Sequence, residues 1–284
     1  MQKKLSDEDK EFLKTYDVKN YYRVSMAADI VIFAVFDEKN DNYRKLPEKA
    51  LRVLLVKRGE LPYKGMYALP GGFVRKGESL DQTAKRELRE ETGVSCEFLE
   101  QFRTTGTVER DPRTRVVSVA YMALLNASEY TLKPGDDASE AEWFTVSMKK
   151  DSENMWTLTL KGEKSVLMAK IKQKQKKWSP VAELDVVEDS EQLAFDHAEI
   201  IAYAVLQLRK WVKESGIAFR LLPKQFTLKQ LQQIHEAVLE TKLLTPAFRR
   251  KMEDYVEVTD QKTKDDGHRP ALLYCEKTNS EGCE

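Results

Sequence analysis

The most informative stretch of the sequence is Gly71–Val94, which reads GGFVRKGESLDQTAKRELREETGV. Ser79 and Gln82 have the spacing of a capping box, so we expect a helix to begin just after Gly77. Gly93 stands where a helix commonly ends. The helix would carry one apolar stripe, formed by Leu80, Ala84 and Leu88. The pattern predicts an amphipathic helix that is entered from a glycine-rich turn.

Three carboxylates share another face of this predicted helix. Glu87, Glu90 and Glu91 stand at i, i+3 and i+4, where side chains are neighbours. Because like charges at this spacing repel, we expect a hard divalent cation, Mg²⁺ or Mn²⁺, to bind among them. Such an ion would clamp a pyrophosphate and orient an attacking water. The alternative interpretation is a solvated acidic face that pairs with Lys85 and Arg89.

The fixed residues from Gly72 to Val94 resemble the Nudix box, the signature of enzymes that cleave a nucleoside diphosphate linked to another group. Every fixed position of that motif is filled. The resemblance implies an α+β chain whose first domain is an α/β/α sandwich built on a mixed sheet. It also implies roles for the box residues: metal ligation by Gly71 (backbone carbonyl), Glu78, Glu87 and Glu91; catalysis by Arg86, Glu87, Glu90 and Glu91; and substrate contact at Gly72. Arg86 is well placed to pair with Glu78.

Length and charge limit the remaining possibilities. A chain of 284 residues predicts one large domain or two modest ones. Lys plus Arg and Asp plus Glu balance at 47 each, so no global field favours nucleic acid or a membrane surface. No apolar run approaches the roughly 20 residues of a membrane span, and the first residues lack an apolar signal region. We therefore expect a cytoplasmic protein with no membrane partner.

A second motif lies in Thr104–Leu125, where an Arg-Asp-Pro-Arg sequence precedes a β-rich run. It resembles the corresponding segment of the ADP-ribose pyrophosphatase branch of the Nudix family. Under that resemblance, Arg110, Arg113 and Arg115 would supply guanidinium groups for a substrate diphosphate. The alternative is a turn with solvent-facing arginines.

The acidic segment that follows, Lys133–Val146, resembles a loop from which related pyrophosphatases draw a general base. Glu140 is our candidate for that base. A general base must reach the attacking water, and the sequence alone does not fix that geometry.

The C-terminal third predicts a different domain. Asp196 and Glu199 have capping-box spacing and would open a long helix, and Thr227 and Gln230 would open a second. Thr245, followed by a proline, would cap a third. A β-hairpin comes next, and this order is that of a winged helix-turn-helix. The predicted division is a Nudix domain over residues 1–190 and a winged helix domain over residues 191–284.

Basic residues mark where such a domain would meet DNA. Arg249, Arg250 and Lys251 lie on the third helix, and Arg269 lies on the predicted wing. From Asp196 onward, however, the chain has fourteen Lys or Arg and fourteen Asp or Glu. This balance weakens the DNA interpretation, since clustered positive charge usually supplies most of the affinity. The alternative is a winged helix that serves dimerisation or packing.

The two halves together resemble the NrtR-type regulators, which join a Nudix-like domain to a winged helix. The matching C-terminal segments are FDHAEIIAYA, FRLLPKQFTLKQLQQIHEAVL, FRRKM and HRPALLY. The resemblance implies a nucleotide substrate or effector, double-stranded DNA as a partner, and a homodimer. In that group the box is often degraded, whereas here it is intact.

Two functions from different classes follow. The first is a Mg²⁺-dependent pyrophosphatase that splits ADP-ribose, or a similar nucleotide sugar, into AMP and a sugar phosphate. The second is a DNA-binding regulator that senses such a metabolite with the same pocket. The intact box favours hydrolysis as the first choice. A third option, a sanitiser of damaged nucleoside triphosphates, is disfavoured by the Arg-Asp-Pro-Arg segment.

Overall fold

The computed structural model describes residues 5–38, 47–93, 96–127, 141–179, 182–263 and 270–277. One large sheet contains β1 (Ser25–Asp37), β2 (Lys49–Lys57), β3 (Tyr67–Ala68), β4 (Gly71–Phe73), β5 (Phe98–Thr105), β6 (Val116–Leu125), β7 (Ala141–Ser152), β8 (Met155–Lys161), β9 (Val166–Lys174) and β10 (Glu183–Asp189). Its strand order is β10-β9-β8-β7-β2-β1-β6-β5, with β3 paired to β2 and β4 to β1. The β1–β6 pair is parallel and the other pairs are antiparallel, so the predicted mixed sheet is confirmed.

The helices are α1 (Asp7–Thr15), α2 (Leu80–Thr92), α3 (His197–Glu214), α4 (Leu228–Leu239) and α5 (Thr245–Met252). Of these, α2 and α3 cover opposite faces of the sheet, whereas α1 buries no residue. Alternate residues of β1 point to opposite faces, as strand geometry requires. Ile30 and Ile32 pack with Leu88 of α2, whereas Val31 and Phe33 join a cluster that contains α3. The resulting three layers are the predicted α/β/α sandwich.

The C-terminal elements form the predicted winged helix. After α4 and α5, a hairpin of β11 (Val256–Lys262) and β12 (Leu272–Glu276) completes the order of helix, helix and wing. The capping box of Thr227 and Gln230 at the start of α4 is confirmed. Helix α5 begins one residue earlier than predicted, because Leu244 and not Thr245 occupies the cap position. Among the described residues, no helix is long and apolar enough to cross a bilayer.

Helix α3 joins the two halves of the molecule. Its buried residues Ile201 and Leu208 belong to one apolar cluster with Phe33 of the sheet, Leu231 of α4 and Phe248 of α5. The chain therefore has one continuous core that runs from the large sheet through α3 into the winged helix. The division at residues 190 and 191 stays a prediction.

The expected capping box at the start of α3 is wrong. Asp196 occupies the cap position but makes no side-chain hydrogen bond to the helix. Its carboxylate instead accepts hydrogen bonds from Arg110 and Thr105. A buried guanidinium requires a carboxylate partner, whereas the first turn of a helix can be satisfied in other ways.

A second polar contact fastens the winged helix to the sheet. Glu240, between α4 and α5, accepts hydrogen bonds from Ser147 Oγ at 2.6 Å and from the backbone amide of Met148 at 2.9 Å. It also pairs with Arg209 of α3. Arg209 Nη1 donates to the carbonyl of Met148 at 2.9 Å, and its Nε donates to that of Val238 at 3.0 Å. Three separate elements therefore meet at this ion pair, which we call the Arg209–Glu240 clasp.

Glu240→Ala should destabilise the whole chain. It leaves Arg209, which is mostly buried, without its carboxylate, and it removes two further hydrogen bonds. We expect a loss of about 2 kcal/mol in the free energy of unfolding and a fall of roughly 5 °C in Tm, measured by circular dichroism. The control is Glu153→Ala in the exposed turn between β7 and β8, and equal Tm values for the two variants would contradict the role of the clasp.

Candidate functional site

The helix predicted from the glycine-rich stretch is present and has the predicted ends. Ser79 accepts a hydrogen bond from the backbone of Gln82, and the Gln82 side chain accepts one from the backbone of Ser79. Gly93 ends α2 with a φ of 69°, a left-handed conformation that favours glycine. Local sequence alone therefore fixes the helix that carries the three glutamates.

Arg86 binds the turn before α2 to the helix. Its Nε and Nη2 donate to the two carboxylate oxygens of Glu78, at 2.7 and 3.0 Å. Thr83 Oγ1 and the backbone amide of Arg75 donate to the same carboxylate. The hydrogen bonds from Arg86 lower the pKa of Glu78 to about 2. Glu78 therefore has its oxygens occupied by the protein, and its role as a metal ligand stays a prediction.

The glycines of the turn bring backbone close to two carboxylates. A Cβ on Gly72 would lie 2.2 Å from Oε1 of Glu87, so any larger residue would force the Glu87 carboxylate to move. The backbone amide of Gly71 donates to Glu91 at 3.2 Å. Burial, together with the negative charge of Glu87, raises the pKa of Glu91 to about 8. Glu87 and Glu91 form a pair of mutually repelling carboxylates against β4.

This pair is chemically suited to a hard divalent cation, which would relieve the repulsion and accept oxygen ligands. Glu90 is oriented differently, since both of its oxygens accept hydrogen bonds from Arg75. Among the described residues, no group of three His, Cys, Asp or Glu side chains converges around one point. The arrangement offers two glutamates and the neighbouring Gly71 carbonyl as candidate ligands.

Arg110, predicted to contact a substrate diphosphate, lies in a buried network of carboxylates. Its guanidinium is buried and donates to Asp29 at 3.0 Å and to both oxygens of Asp196, at 3.0 and 2.7 Å. Two carboxylates balance the charge of Arg110, so in this arrangement its guanidinium does not face a substrate diphosphate as an unpaired cation. The hydrogen bonds and charge of Arg110 outweigh burial and hold the pKa of Asp196 below its usual value.

Further polar groups complete this buried network. Ser118 Oγ donates to Asp29 at 2.6 Å, and Thr105 Oγ1 donates to Asp196 at 2.8 Å. His197 is buried, and its Nδ1 accepts a hydrogen bond from the backbone amide of Leu69 at 2.9 Å. Burial lowers the pKa of His197, so the ring is neutral. The network joins β1, β5, β6 and the start of α3, directly beside the paired carboxylates.

The other two predicted substrate arginines differ from each other. Arg113 is exposed, and its Nε and Nη2 donate to Asp111 at 3.0 and 2.7 Å. Its guanidinium also lies over the rings of Phe73 and Phe195. Arg115 is half-buried, and its Nη1 has no hydrogen-bond partner among the described residues. Their contact with a diphosphate stays a prediction.

Sequence reasoning missed Arg58, which lies just after β2. It is half-buried, and among the described residues no carboxylate pairs with it within 4.0 Å. Burial and the charge of Arg113 lower its pKa, while the negative charges of Asp111, Glu91 and Glu60 oppose this. A half-buried cation that lies close to carboxylates but pairs directly with none of them can bind an anionic ligand. The sequence feature that points to Arg58 is its place immediately after a buried strand, in the segment that leads to the glycine-rich stretch.

The described residues of the predicted DNA-binding set are all exposed. Arg249 and Arg250 are exposed on α5. Lys251 is also exposed, and its Nζ donates to the carbonyl of Lys213 near the end of α3 at 3.1 Å. The predicted general base Glu140 and the predicted wing residue Arg269 lie outside the described residues.

Comparison with known proteins identifies both halves. The NUDIX domain family matches residues 28–159, and the NrtR DNA-binding winged helix domain family matches residues 218–275. The chain is 32% identical over 267 residues to the ADPR responsive transcriptional repressor NtrR of Acinetobacter baylyi, which covers 93% of this chain and 86% of that protein. Over 138 residues it is 33% identical to the ADP-ribose pyrophosphatase of Methanocaldococcus jannaschii, covering 49% of this chain and 73% of that protein.

A solved structure shows the same architecture. The crystal structure of Shewanella oneidensis NrtR complexed with a 27mer DNA has a TM-score of 0.59 and 28% identity, over 89% of this chain and 93% of that one. The fold and the site therefore define a Nudix domain joined to a DNA-binding winged helix. The chain belongs to the NrtR family, as its sequence resemblance predicts.

Gly72→Ala should disrupt the carboxylate pair. The new Cβ would collide with Glu87 and force its carboxylate away from Glu91. We expect affinity for Mn²⁺, measured by titration with electron paramagnetic resonance, to fall at least about tenfold, as expected for disturbed metal-site geometry. The matched control is Gly59→Ala, where a Cβ meets no atom within 4 Å. Unchanged Mn²⁺ binding in Gly72→Ala would mean that the ion does not use Glu87.

Proposed function

We propose that this protein is a DNA-binding regulator whose Nudix domain binds ADP-ribose or a related nucleotide. The observation that carries the proposal is the position of α3. Its first residues adjoin the network around Arg110 beside the carboxylate pair, and the backbone near its end accepts a hydrogen bond from Lys251 of α5. One helix therefore connects the nucleotide site to the helix that would enter DNA.

The nucleotide side of the proposal rests on charge and on relatives. Arg58 provides a half-buried guanidinium that has no directly paired carboxylate among the described residues, which suits a diphosphate. The relative that spans nearly the whole chain is named an ADPR responsive repressor, and a relative of the Nudix half is named an ADP-ribose pyrophosphatase. We therefore favour ADP-ribose as the effector.

The DNA side of the proposal rests on α5. In a winged helix the recognition helix inserts its exposed residues into the major groove. Arg249 and Arg250 are free to do so, and Lys251 would contribute charge beside them. Phosphate contacts would also come from Arg269 of the wing. We propose residues 191–284 as the DNA-binding domain, residues 1–190 as the nucleotide domain, and a homodimer that presents two recognition helices to a palindromic site.

Replacing both arginines should abolish specific binding. Arg249→Ala/Arg250→Ala removes two exposed cations from α5 without touching its buried residues Phe248 and Met252. We expect at least about 100-fold weaker binding to DNA upstream of the protein's own operon, because each base or phosphate contact contributes about 1–3 kcal/mol. Fluorescence anisotropy at moderate salt gives the affinity, and added ADP-ribose should shift it.

The control for this experiment is Lys172→Ala/Lys177→Ala. These two exposed lysines belong to the basic run at residues 170–177, far from α5 in sequence. This variant removes the same charge and should keep wild-type DNA binding. Full DNA binding by the α5 variant, or no sequence preference in the unmodified protein, would refute the regulator proposal.

A second candidate function, hydrolysis, is favoured by the complete set of Glu87, Glu90 and Glu91. We propose that Glu87, Glu91 and the carbonyl of Gly71 would hold Mg²⁺ or Mn²⁺, which would neutralise diphosphate charge and activate water when bound. Glu78 and Arg86 would position the glutamates, and Glu140 is the proposed base. The intact box favours hydrolysis as the first choice on sequence grounds. Similarity to a repressor over 93% of the chain makes regulation the function that we favour.

Glu91→Gln tests hydrolysis directly. Removing one of two candidate ligands should lower the turnover of ADP-ribose with Mg²⁺ by at least about 100-fold, and phosphate products would be the readout. Glu188→Gln on the exposed end of β10 is the matched control. Turnover that is unchanged in Glu91→Gln would exclude this mechanism, whereas no turnover in the unmodified protein would leave a regulator without catalysis.

A further inference from the structure

Two aromatic rings and one guanidinium lie together beside the carboxylate pair. The guanidinium carbon of Arg113 is 5.3 Å from the ring centre of Phe73 and 5.7 Å from that of Phe195. We call Phe73, Arg113 and Phe195 the stacking shelf. Phe73 is 41% exposed, and the Arg113 side chain is 43% exposed, so the shelf presents an open surface to solvent.

The shelf is not built to bind phosphate. Asp111 holds the edge of the Arg113 guanidinium through two hydrogen bonds, and its carboxylate balances the charge. The side chain of Asp111 is only 3% exposed, so it is a fixed partner. What Arg113 can still offer is the planar face of its guanidinium. Planar guanidinium and aromatic faces together recognise another planar ring by stacking.

The backbone holds the shelf in an unusual conformation. Phe195 has a φ of 54° and Tyr63 a φ of 62°, a left-handed region that bulky side chains rarely adopt. The two rings pack edge to face at 4.8 Å. Arg58 adds its guanidinium over the Phe195 ring at 4.9 Å. Such conformations persist where the surrounding structure holds a side chain in a required place, and they concentrate at ligand sites.

The position of the shelf suits one part of a nucleotide. Phe73 follows Gly72 directly, so its ring lies one residue from the backbone that contacts Glu87. Arg58 joins the shelf through its contact with the Phe195 ring, and Glu91 is one of the carboxylates that act on it electrostatically. A nucleoside diphosphate has the same order of groups, with a planar base at one end and the diphosphate next to a ribose.

We propose that the stacking shelf of Phe73, Arg113 and Phe195 binds the nucleobase of the nucleotide. The diphosphate would then lie at Arg58 and the carboxylate pair. This inference rests on the proposed function, because it assumes that the Nudix domain binds a nucleotide. It assigns the exposed aromatic surface to base recognition and leaves charge recognition to Arg58.

The test compares ADP-ribose, which carries a nucleobase, with inorganic pyrophosphate, which carries none. Isothermal titration calorimetry of the full chain, with EDTA present to prevent turnover, measures binding of ADP-ribose and of inorganic pyrophosphate. Phe195→Leu and Phe73→Leu each keep an apolar side chain but lose the ring. We expect each to weaken ADP-ribose binding about tenfold, the usual scale of base stacking on an aromatic side chain, and to leave pyrophosphate binding unchanged.

The matched control is Phe12→Leu on α1, which makes the same chemical change at an exposed ring outside the site. It should bind both ligands as the unmodified chain does. Phe73→Leu decides the outcome if Phe195→Leu fails to fold. The proposal is overturned if the shelf variants bind ADP-ribose within twofold of the unmodified chain, or if they lose both ligands equally. If the unmodified chain binds neither ligand, in EDTA or with Mg²⁺ present, the proposed function itself fails.

Discussion

Arg110, buried between Asp29 and Asp196, is the interaction on which the rest of the structure depends. Taking a guanidinium out of water costs several kcal/mol unless carboxylates and hydrogen bonds compensate for it. Here two carboxylates do so, and Ser118 and Thr105 donate further hydrogen bonds to them. Because Asp29 is in the central strand and Asp196 immediately precedes α3, the pairing fixes where α3 begins. This buried charge, together with the apolar core around α3 and the Arg209–Glu240 clasp, sets the position of the winged helix relative to the sheet.

The elements that the sequence predicts well are those specified by neighbouring residues. The capping boxes at Ser79 and Thr227 and the terminal glycine at Gly93 lie within a few residues of the helix ends they define. Runs of consecutive apolar residues likewise predict the strands β1 and β6. The family resemblance supplied the layer order and the mixed sheet, which the local pattern alone does not contain.

The predictions that differ from the structure involve partners far apart in the sequence. The spacing of Asp196 and Glu199 suggests a helix cap, yet the partner of Asp196 is 86 residues away at Arg110. For the same reason Arg110 resembles its neighbour Arg113, although one is buried in a network and the other is exposed. The pairing of Arg209 with Glu240 is likewise not predicted by any pattern among neighbouring residues of the sequence. In each case three-dimensional proximity decides how a charged side chain is used.

The length of helix α3 determines how a rotation at one of its ends relates to a displacement at the other. It contains 18 residues, which at a rise of 1.5 Å each corresponds to a rod of about 27 Å. A tilt of about 5° at its first turn would move its far end by about 2.4 Å, which is a large part of the roughly 3.4 Å between successive base pairs. The start of this rod adjoins the Arg110 network, and the carbonyl near its end contacts Lys251. By this geometry alone, a rotation of a few degrees at the Arg110 end of α3 corresponds, at the Lys251 end, to a distance of the same order as one step along DNA.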